Sequence, residues 1–103
     1  MISISVNVAD MRMETEGHAG FAPIGEDIVC AGVTTLLSTL QHTLSLLLYP
    51  DEYTADMREG HAYIEAHPPD QLREACRNIF MVIANGLFLM ESNYGQYIQI
   101  EGE

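Results

Sequence analysis

Hydrophobic and polar residues alternate over the first sixteen positions, and the alternation predicts two strands. The first strand has apolar residues at every second position: Ile2, Ile4, Val6 and Val8. A second run alternates in the same way, with Met11, Met13 and Thr15 on one side. A period of two is typical of a half-buried strand. The connection at Ala9–Asp10 lacks glycine, but the two runs are adjacent, so we expect them to pair.

An apolar stripe at three- and four-residue steps then predicts the first helix. Its members are Val29, Val33, Leu36, Leu37, Leu40, Leu44, Leu47 and Leu48. Asp27 is a suitable N-cap, and the helix should end at Tyr49–Pro50, because a residue before proline is disfavoured in the α region. The opposite face carries Thr, Ser, Gln and His but no charged residue. Two interpretations stay open for that face: a merely polar surface, or contact with a second subunit.

The second half of the chain repeats the pattern of two strands and a helix. Tyr53, Ala55 and Met57 indicate a third strand, Glu59–Gly60 a turn, and residues 61–66 a returning strand. Pro68–Pro69–Asp70 should start a second helix that ends at Asn93–Tyr94–Gly95, and residues 97–100 should form a last strand. The apolar face of that helix comprises Leu72, Cys76, Ile79, Ile83, Leu87 and Met90.

The order β-β-α-β-β-α-β predicts an α+β fold. The simplest architecture is two-layer: a mostly antiparallel sheet with two helices packed on one face. A chain of 103 residues suffices for one domain with one core, so we expect residues 1–103 to form a single domain. Residues 28–50 contain no Asp, Glu, Lys or Arg, yet Thr, Ser, Gln and His interrupt them, so we expect no membrane span.

The net charge of the chain limits the kinds of molecule that it is expected to bind. The chain has 15 acidic residues, 4 arginines and no lysine, giving a formal net charge of −11. Such a surface repels phosphate backbones, so we expect no nucleic-acid binding. It would attract a basic protein, although solubility alone is an equally good explanation of the charge. Two cysteines form no disulfide framework, and no secretory leader is evident, so we expect a cytoplasmic protein.

The chemically suggestive segment is "GHAGFAPIGEDIVCAG", residues 17–32. If Asp27 caps the helix, Cys30 is its third residue, where free N–H groups and the helix dipole stabilise a thiolate. His18, across the loop, could accept the thiol proton and later protonate a leaving amine. Asp27 could instead orient the imidazole as a third catalytic member. Glycines at 17, 20 and 25 permit a mobile loop whose amides, together with those at the helix start, could form an oxyanion hole.

Less specific explanations remain open for these residues. Cys30 could be an inert buried cysteine and His18 an unrelated loop residue. A metal site of His18, Asp27 and Cys30 would have unusual spacing, without C-x-x-C or H-x-x-x-H, so we expect neither a metal nor another cofactor. Cys76 falls on the apolar face of the second helix and should belong to the core.

The same segment resembles the ribosomal-processing cysteine protease family Prp. The family's hallmark is similar to G-H-A-G-[YF]-A…G-x-D-I-V-C-A, and residues 17–22, Gly25 and 27–31 match it with the same His-to-Cys spacing. The terminal "YGQYIQI" is similar to the family's closing strand. The chain departs from the family at Thr34, where serine is usual, and the added methyl group could crowd the site.

The resemblance implies a homodimeric cysteine endopeptidase that removes the N-terminal extension of a large-subunit ribosomal protein. Some members also cleave phage structural proteins. When the family's functional positions are transferred to this sequence, Cys30 is the nucleophile, His18 is the base and Asp27 is a third functional position. The substrate-binding positions implied are Gly17, Ala19, Gly20, Gly25 and Thr34. The rival hypothesis is a non-catalytic module that binds a basic ribosomal or assembly protein.

Overall fold

The computed structural model describes residues 1–23 and 27–102, which form five strands and two long helices. In chain order the elements are β1 (Ile2–Asn7), β2 (Arg12–Glu16), α1 (Ile28–Leu47), β3 (Tyr53–Arg58), β4 (His61–Ala66), α2 (Arg73–Tyr94) and β5 (Ile98–Gly102). Short 3₁₀ turns at Pro50–Glu52 and Asp70–Leu72 precede β3 and α2. The predicted order of strands and helices is confirmed.

The strands form one sheet in the order β3-β4-β2-β1-β5. β1 pairs antiparallel with β2, as predicted, and β4 pairs antiparallel with both β2 and β3. β5 instead lies parallel to β1, with Ile2 opposite Ile98. Alternate side chains from the strands are buried against the helices, which gives the predicted two-layer α+β architecture.

The turn between β1 and β2 shows how a hairpin forms without glycine. The Asp10 N–H donates to Asn7 Oδ1, and Asn7 Nδ2 donates to the Asp10 carboxylate, both over 3.0 Å. Met11 has a φ of +55° and is buried, and its N–H donates to the Val8 carbonyl over 3.1 Å. Val8 therefore belongs to the turn rather than to the strand. Met11 adopts the positive φ that glycine supplies in other turns, and the hydrogen bonds between Asn7 and Asp10 hold the turn.

The helices pack closely because two glycines lie at their contact. A β-carbon at Gly86 of α2 would lie 2.9 Å from Leu36 Cδ2, and one at Gly32 of α1 would lie 2.5 Å from Met90 Cε. The shared core contains the predicted apolar stripe of α1, and Cys76 and Phe80 of α2 are fully buried in it. The assignment of Cys76 to the core is confirmed.

Threonine hydroxyls on the uncharged face of α1 are satisfied by the helix's own backbone. Thr35, Thr39 and Thr43 each donate a hydroxyl hydrogen bond to the carbonyl four residues earlier, over 2.7–2.8 Å. This face therefore needs no charged residue to satisfy its polar groups. Among the described residues, no helix combines the length and apolarity that crossing a bilayer requires.

Candidate active site

Cys30 lies in the first turn of α1, at the third helical position, as its spacing from Asp27 predicts. Its side chain is half-buried, and its thiol is free. The backbone N–H of Ala19, in the loop after β2, donates a hydrogen bond to the Cys30 sulfur over 3.3 Å. The sulfur therefore lies beside a backbone donor and close to the N-terminal end of α1.

Asp27 links the start of α1 to the loop. Its Oδ1 accepts hydrogen bonds from the N–H groups of Val29 (2.9 Å) and Cys30 (3.0 Å), and its Oδ2 accepts one from the Phe21 N–H over 3.1 Å. Burial by itself raises the pKa of Asp27, but the hydrogen bonds from Cys30, Phe21 and Val29 hold the pKa below its usual value. Both oxygens are engaged by backbone, so Asp27 acts here as a cap and a loop anchor.

His18 follows the end of β2 and is exposed. Its ring lies against the turn between β3 and β4, where Nε2 is 3.1 Å from the position that a β-carbon of Gly60 would occupy. Among the hydrogen bonds of the described residues, none joins the His18 ring to the Cys30 sulfur. The two side chains nevertheless line one cleft. Hydrogen bonds of catalytic pairs often tighten only when substrate is bound.

The loop after His18 is held at a second point by aromatic contacts. The Phe21 ring makes edge-to-face contacts with Tyr94, at the end of α2, and with Tyr97, just before β5. The ring centroids are 6.1 and 5.3 Å apart, distances typical of favourable aromatic pairs. The loop is therefore anchored to both helices, through Asp27 at α1 and through Phe21 at α2.

The remaining predicted site residues lie around this loop. Gly17 has a φ of +95°, and a β-carbon there would lie 2.6 Å from the Met1 carbonyl oxygen, so glycine is needed at this position. Gly20 has a φ of +76° in open space. Ala19 is buried, whereas Thr34 is exposed and lines the cleft. Gly25 lies outside the described residues.

The cleft has a volume of about 890 Å³ and three walls. One wall is the loop that carries His18, and the second is the exposed side of the first turns of α1, from Cys30 to Ser38. The third is the end of the β3–β4 hairpin, from Met57 to Ala62. Sequence reasoning missed this third wall. The only signal for it was the turn at Glu59–Gly60, whose position beside His18 depends on strand pairing.

A metal-binding role for His18, Asp27 and Cys30 has no support in this geometry, because both Asp27 oxygens accept backbone hydrogen bonds. Within residues 1–23 and 27–102, the group that brings three potential ligand atoms within 4.8 Å of one another is a different one: Glu14, Glu16 and His61. In that group His61 Nδ1 is hydrogen-bonded to Glu16 Oε1 over 2.9 Å. This pairing accounts for their proximity on the solvent face of the sheet.

Comparison with known proteins identifies the family. A sequence model of the cysteine protease Prp family matches residues 1–99. The chain belongs to this family. It is therefore a peptide-bond hydrolase of the cysteine protease class, and its resemblance to Prp in residues 17–31 extends to nearly the whole chain.

Individual relatives are similar to this chain over most of its length. The chain is 29% identical over 79 residues to the ribosomal processing cysteine protease Prp of Bacillus subtilis, covering 77% of this chain and 70% of that protein. S. aureus Prp, in a crystal structure with a covalently linked product peptide, superposes with a TM-score of 0.82 at 23% identity, with full coverage of both chains. A Streptococcus mutans protein superposes with a TM-score of 0.71 at 24% identity, covering 99% and 93%. These structures share the fold.

Proposed function

We propose that this chain is a ribosomal-processing endopeptidase that removes the N-terminal extension of a large-subunit ribosomal protein. The main support for this proposal is that His18 and Cys30 line one cleft while the cysteine sulfur lies at the start of α1. The B. subtilis relative is a ribosomal processing protease, and the net charge of −11 suits a basic protein substrate. The whole chain acts as one protease domain in the cytoplasm.

In the proposed reaction the Cys30 sulfur attacks the scissile carbonyl carbon. His18 accepts the thiol proton, a C–S bond forms, and the carbonyl becomes a tetrahedral oxyanion. The C–N bond then breaks, and His18 gives its proton to the leaving amine. Water, activated by His18, hydrolyses the acyl-enzyme, so that the carboxylic product leaves and the thiol is restored.

The amides at the start of α1, which the sequence suggested as part of an oxyanion hole, are hydrogen-bonded within the protein. The Val29 and Cys30 N–H groups bind Asp27, and the Ala31 N–H donates to the Asp27 carbonyl over 3.0 Å. In this arrangement they are unavailable to an oxyanion. The Ala19 N–H, which donates to the sulfur, is the better candidate for stabilising the charge that develops beside it. Asp27 supports the site by fixing Phe21 and the helix start.

The peptide groove comprises Gly17, Ala19, Gly20, Gly25 and Thr34, together with the end of the β3–β4 hairpin. An open cleft of this size accommodates several residues of an extended peptide. Thr34 contributes a hydroxyl at its rim, and the glycines permit close approach of the substrate backbone. Gly25 enters this proposal from the family motif alone.

Incubation with a synthetic peptide that spans the extension junction of the ribosomal protein tests the proposal. Mass spectrometry should detect one cut in the wild-type digest and none with Cys30→Ala. Cys76→Ala is the matched control, because it removes the other thiol, which is buried in the core away from the cleft, and it should retain cleavage. Tight binding of the peptide without a cut by the wild type would instead favour the non-catalytic binding module.

The active protein is proposed to be a homodimer that associates through the outer side of the helical layer. α2 exposes Val82 and Leu89 by 67% and 66%, with Met81 and Phe88 beside them. Apolar side chains clustered on one helix face commonly mark an interface. The neighbouring face of α1 carries no charge that association would have to desolvate.

A further inference from the structure

The His18 ring also lies close to Gly60, and this contact has no part in the proposed mechanism. A β-carbon at residue 60 would lie 3.1 Å from His18 Nε2 and 3.7 Å from both Cδ2 and Cε1. Favourable contacts between non-bonded carbon atoms lie at about 3.5–4.0 Å. The two carbon contacts fall in that range, but the 3.1 Å contact to Nε2 is shorter, so a side chain at residue 60 would require the imidazole to shift by a few tenths of an ångström.

The turn that carries Gly60 is fastened to the residues just before His18. The Gly17 N–H donates to the Gly60 carbonyl over 2.8 Å. The adjacent residues, Glu16 and His61, pair where β2 meets β4, and the Glu16 carboxylate and His61 Nδ1 are hydrogen-bonded over 2.9 Å. Because both strands are held in register, the turn cannot easily move away from a displaced ring. The ring, which is exposed, would move instead.

We propose that Gly60 is a positioning residue for the His18 imidazole. Its lack of a side chain lets the ring rest against the β3–β4 turn, inside the cleft that Cys30 also lines. The hairpin thereby sets the position of the base, while α1 sets the position of the sulfur. This inference rests on the proposed role of His18 as the general base.

Steady-state cleavage of the junction peptide by Gly60→Ala tests the catalytic consequence. Displacement of a catalytic group by a fraction of an ångström should lower kcat by about tenfold, beyond any change in KM that follows from the place of Gly60 in the cleft wall. In NMR spectra the His18 ring Cε1–H signal should shift, whereas the signals of the exposed His42 and His67 should not. A wild-type kcat with an unshifted His18 signal would overturn the proposal.

Melting temperatures separate the ring contact from backbone strain, since Gly60 has a φ of +76°. Gly60→Ala should lower Tm more in the wild type than in the His18→Ala background, where no ring opposes the new methyl group. Gly20→Ala, measured for Tm only, is the matched control: it has the same φ of +76° and nothing within 4 Å of its β-carbon. Equal losses of Tm in both backgrounds would overturn the proposal.

The proposal can still be tested if Gly60→Ala does not fold or if the wild type does not cleave the peptide. If Gly60→Ala does not fold, Gly60→Asn replaces it, because asparagine tolerates positive φ better while still carrying a β-carbon. The melting experiment requires no substrate. A wild-type protein that does not cleave the peptide would refute the proposed function, yet the Tm difference between backgrounds would still decide whether Gly60 positions His18.

Discussion

The Ala19 backbone N–H donates a hydrogen bond to the Cys30 sulfur over 3.3 Å. This contact joins the loop that carries His18 to the first turn of α1, two segments that are eleven residues apart in sequence. It places a hydrogen-bond donor beside the proposed nucleophile. Because the donor is backbone, it should persist when the Cys30 side chain is replaced by one of similar size.

Cys30→Ser should therefore retain the fold and lose turnover. A serine hydroxyl can accept the same Ala19 hydrogen bond, but it is a far weaker nucleophile without a strongly activating base. We expect kcat to fall by roughly 10³-fold or more and the free energy of unfolding to change by less than about 1 kcal/mol. Thermal melts and peptide cleavage measure the two effects. Retained turnover would contradict the assignment of the nucleophile.

The two cysteines should differ sharply in alkylation by iodoacetamide. Cys30 is half-buried beside the cleft, whereas Cys76 is fully buried, and burial raises the pKa of the Cys76 thiol. Mass spectrometry of the native protein should detect one modified cysteine, in the peptide containing Cys30. Unfolding in urea should expose both, which controls for reagent quality. Preferential labelling of Cys76 in the native state would be incompatible with the described packing.

Asp27→Asn should separate the two structural roles of Asp27. Asparagine is as good an N-cap as aspartate, so its oxygen can still accept from Val29 and Cys30. Its amide group would then face the Phe21 N–H, and two donors cannot bond. We expect Asp27→Asn to melt near the wild type, with faster hydrogen exchange at Phe21 and reduced cleavage. Asp27→Ala should lose the cap as well, at a cost of about 1 kcal/mol.

Equal instability of the two variants would contradict the capping role of the residue-27 side chain.

Acid should lower the stability of the folded protein, partly because Asp27 becomes protonated. Its hydrogen bonds hold the pKa of the folded state below the unfolded value of about 3.9, so the stabilisation is present above that pH and lost as the pH falls through the lower folded pKa. Melting temperature measured from pH 6 downward should therefore fall less steeply below about pH 4 for Asp27→Asn than for the wild type. Parallel curves for the two proteins would show that Asp27 contributes nothing to the acid response.

Light scattering at micromolar concentration should detect a dimer that depends on the outer helical surface. Leu89→Glu places a charge in the apolar surface of α2 and should give a monomer. Thr39→Glu tests whether the uncharged face of α1 takes part, and Thr54→Glu, at an exposed position of β3, is the control that should remain dimeric. A wild-type monomer would refute the homodimer. Dissociation by the Thr54 variant would point to the opposite face of the sheet.

Local pattern was enough to predict most of the elements and the immediate surroundings of Cys30. Alternation and helical periodicity report which side of an element is buried, and the capping role of Asp27 depends only on residues within three positions of it. Helix α2 begins at Arg73, later than Pro68–Pro69–Asp70 suggested, because residues 70–72 form a 3₁₀ turn first. Such ends depend on a few competing hydrogen bonds and are weakly encoded.

The order of elements, the core faces and the motif that holds Cys30, Asp27 and His18 follow from local spacing and side-chain chemistry, so they can be predicted from the sequence. Three other features arise only in the folded molecule: β5 pairs parallel with β1, Phe21 packs on Tyr94 and Tyr97, and the His18 ring rests on Gly60. Those contacts join residues up to 96 positions apart, as in the pairing of Ile2 with Ile98. They arise from strand register and helix packing, which depend on the whole core being formed at once.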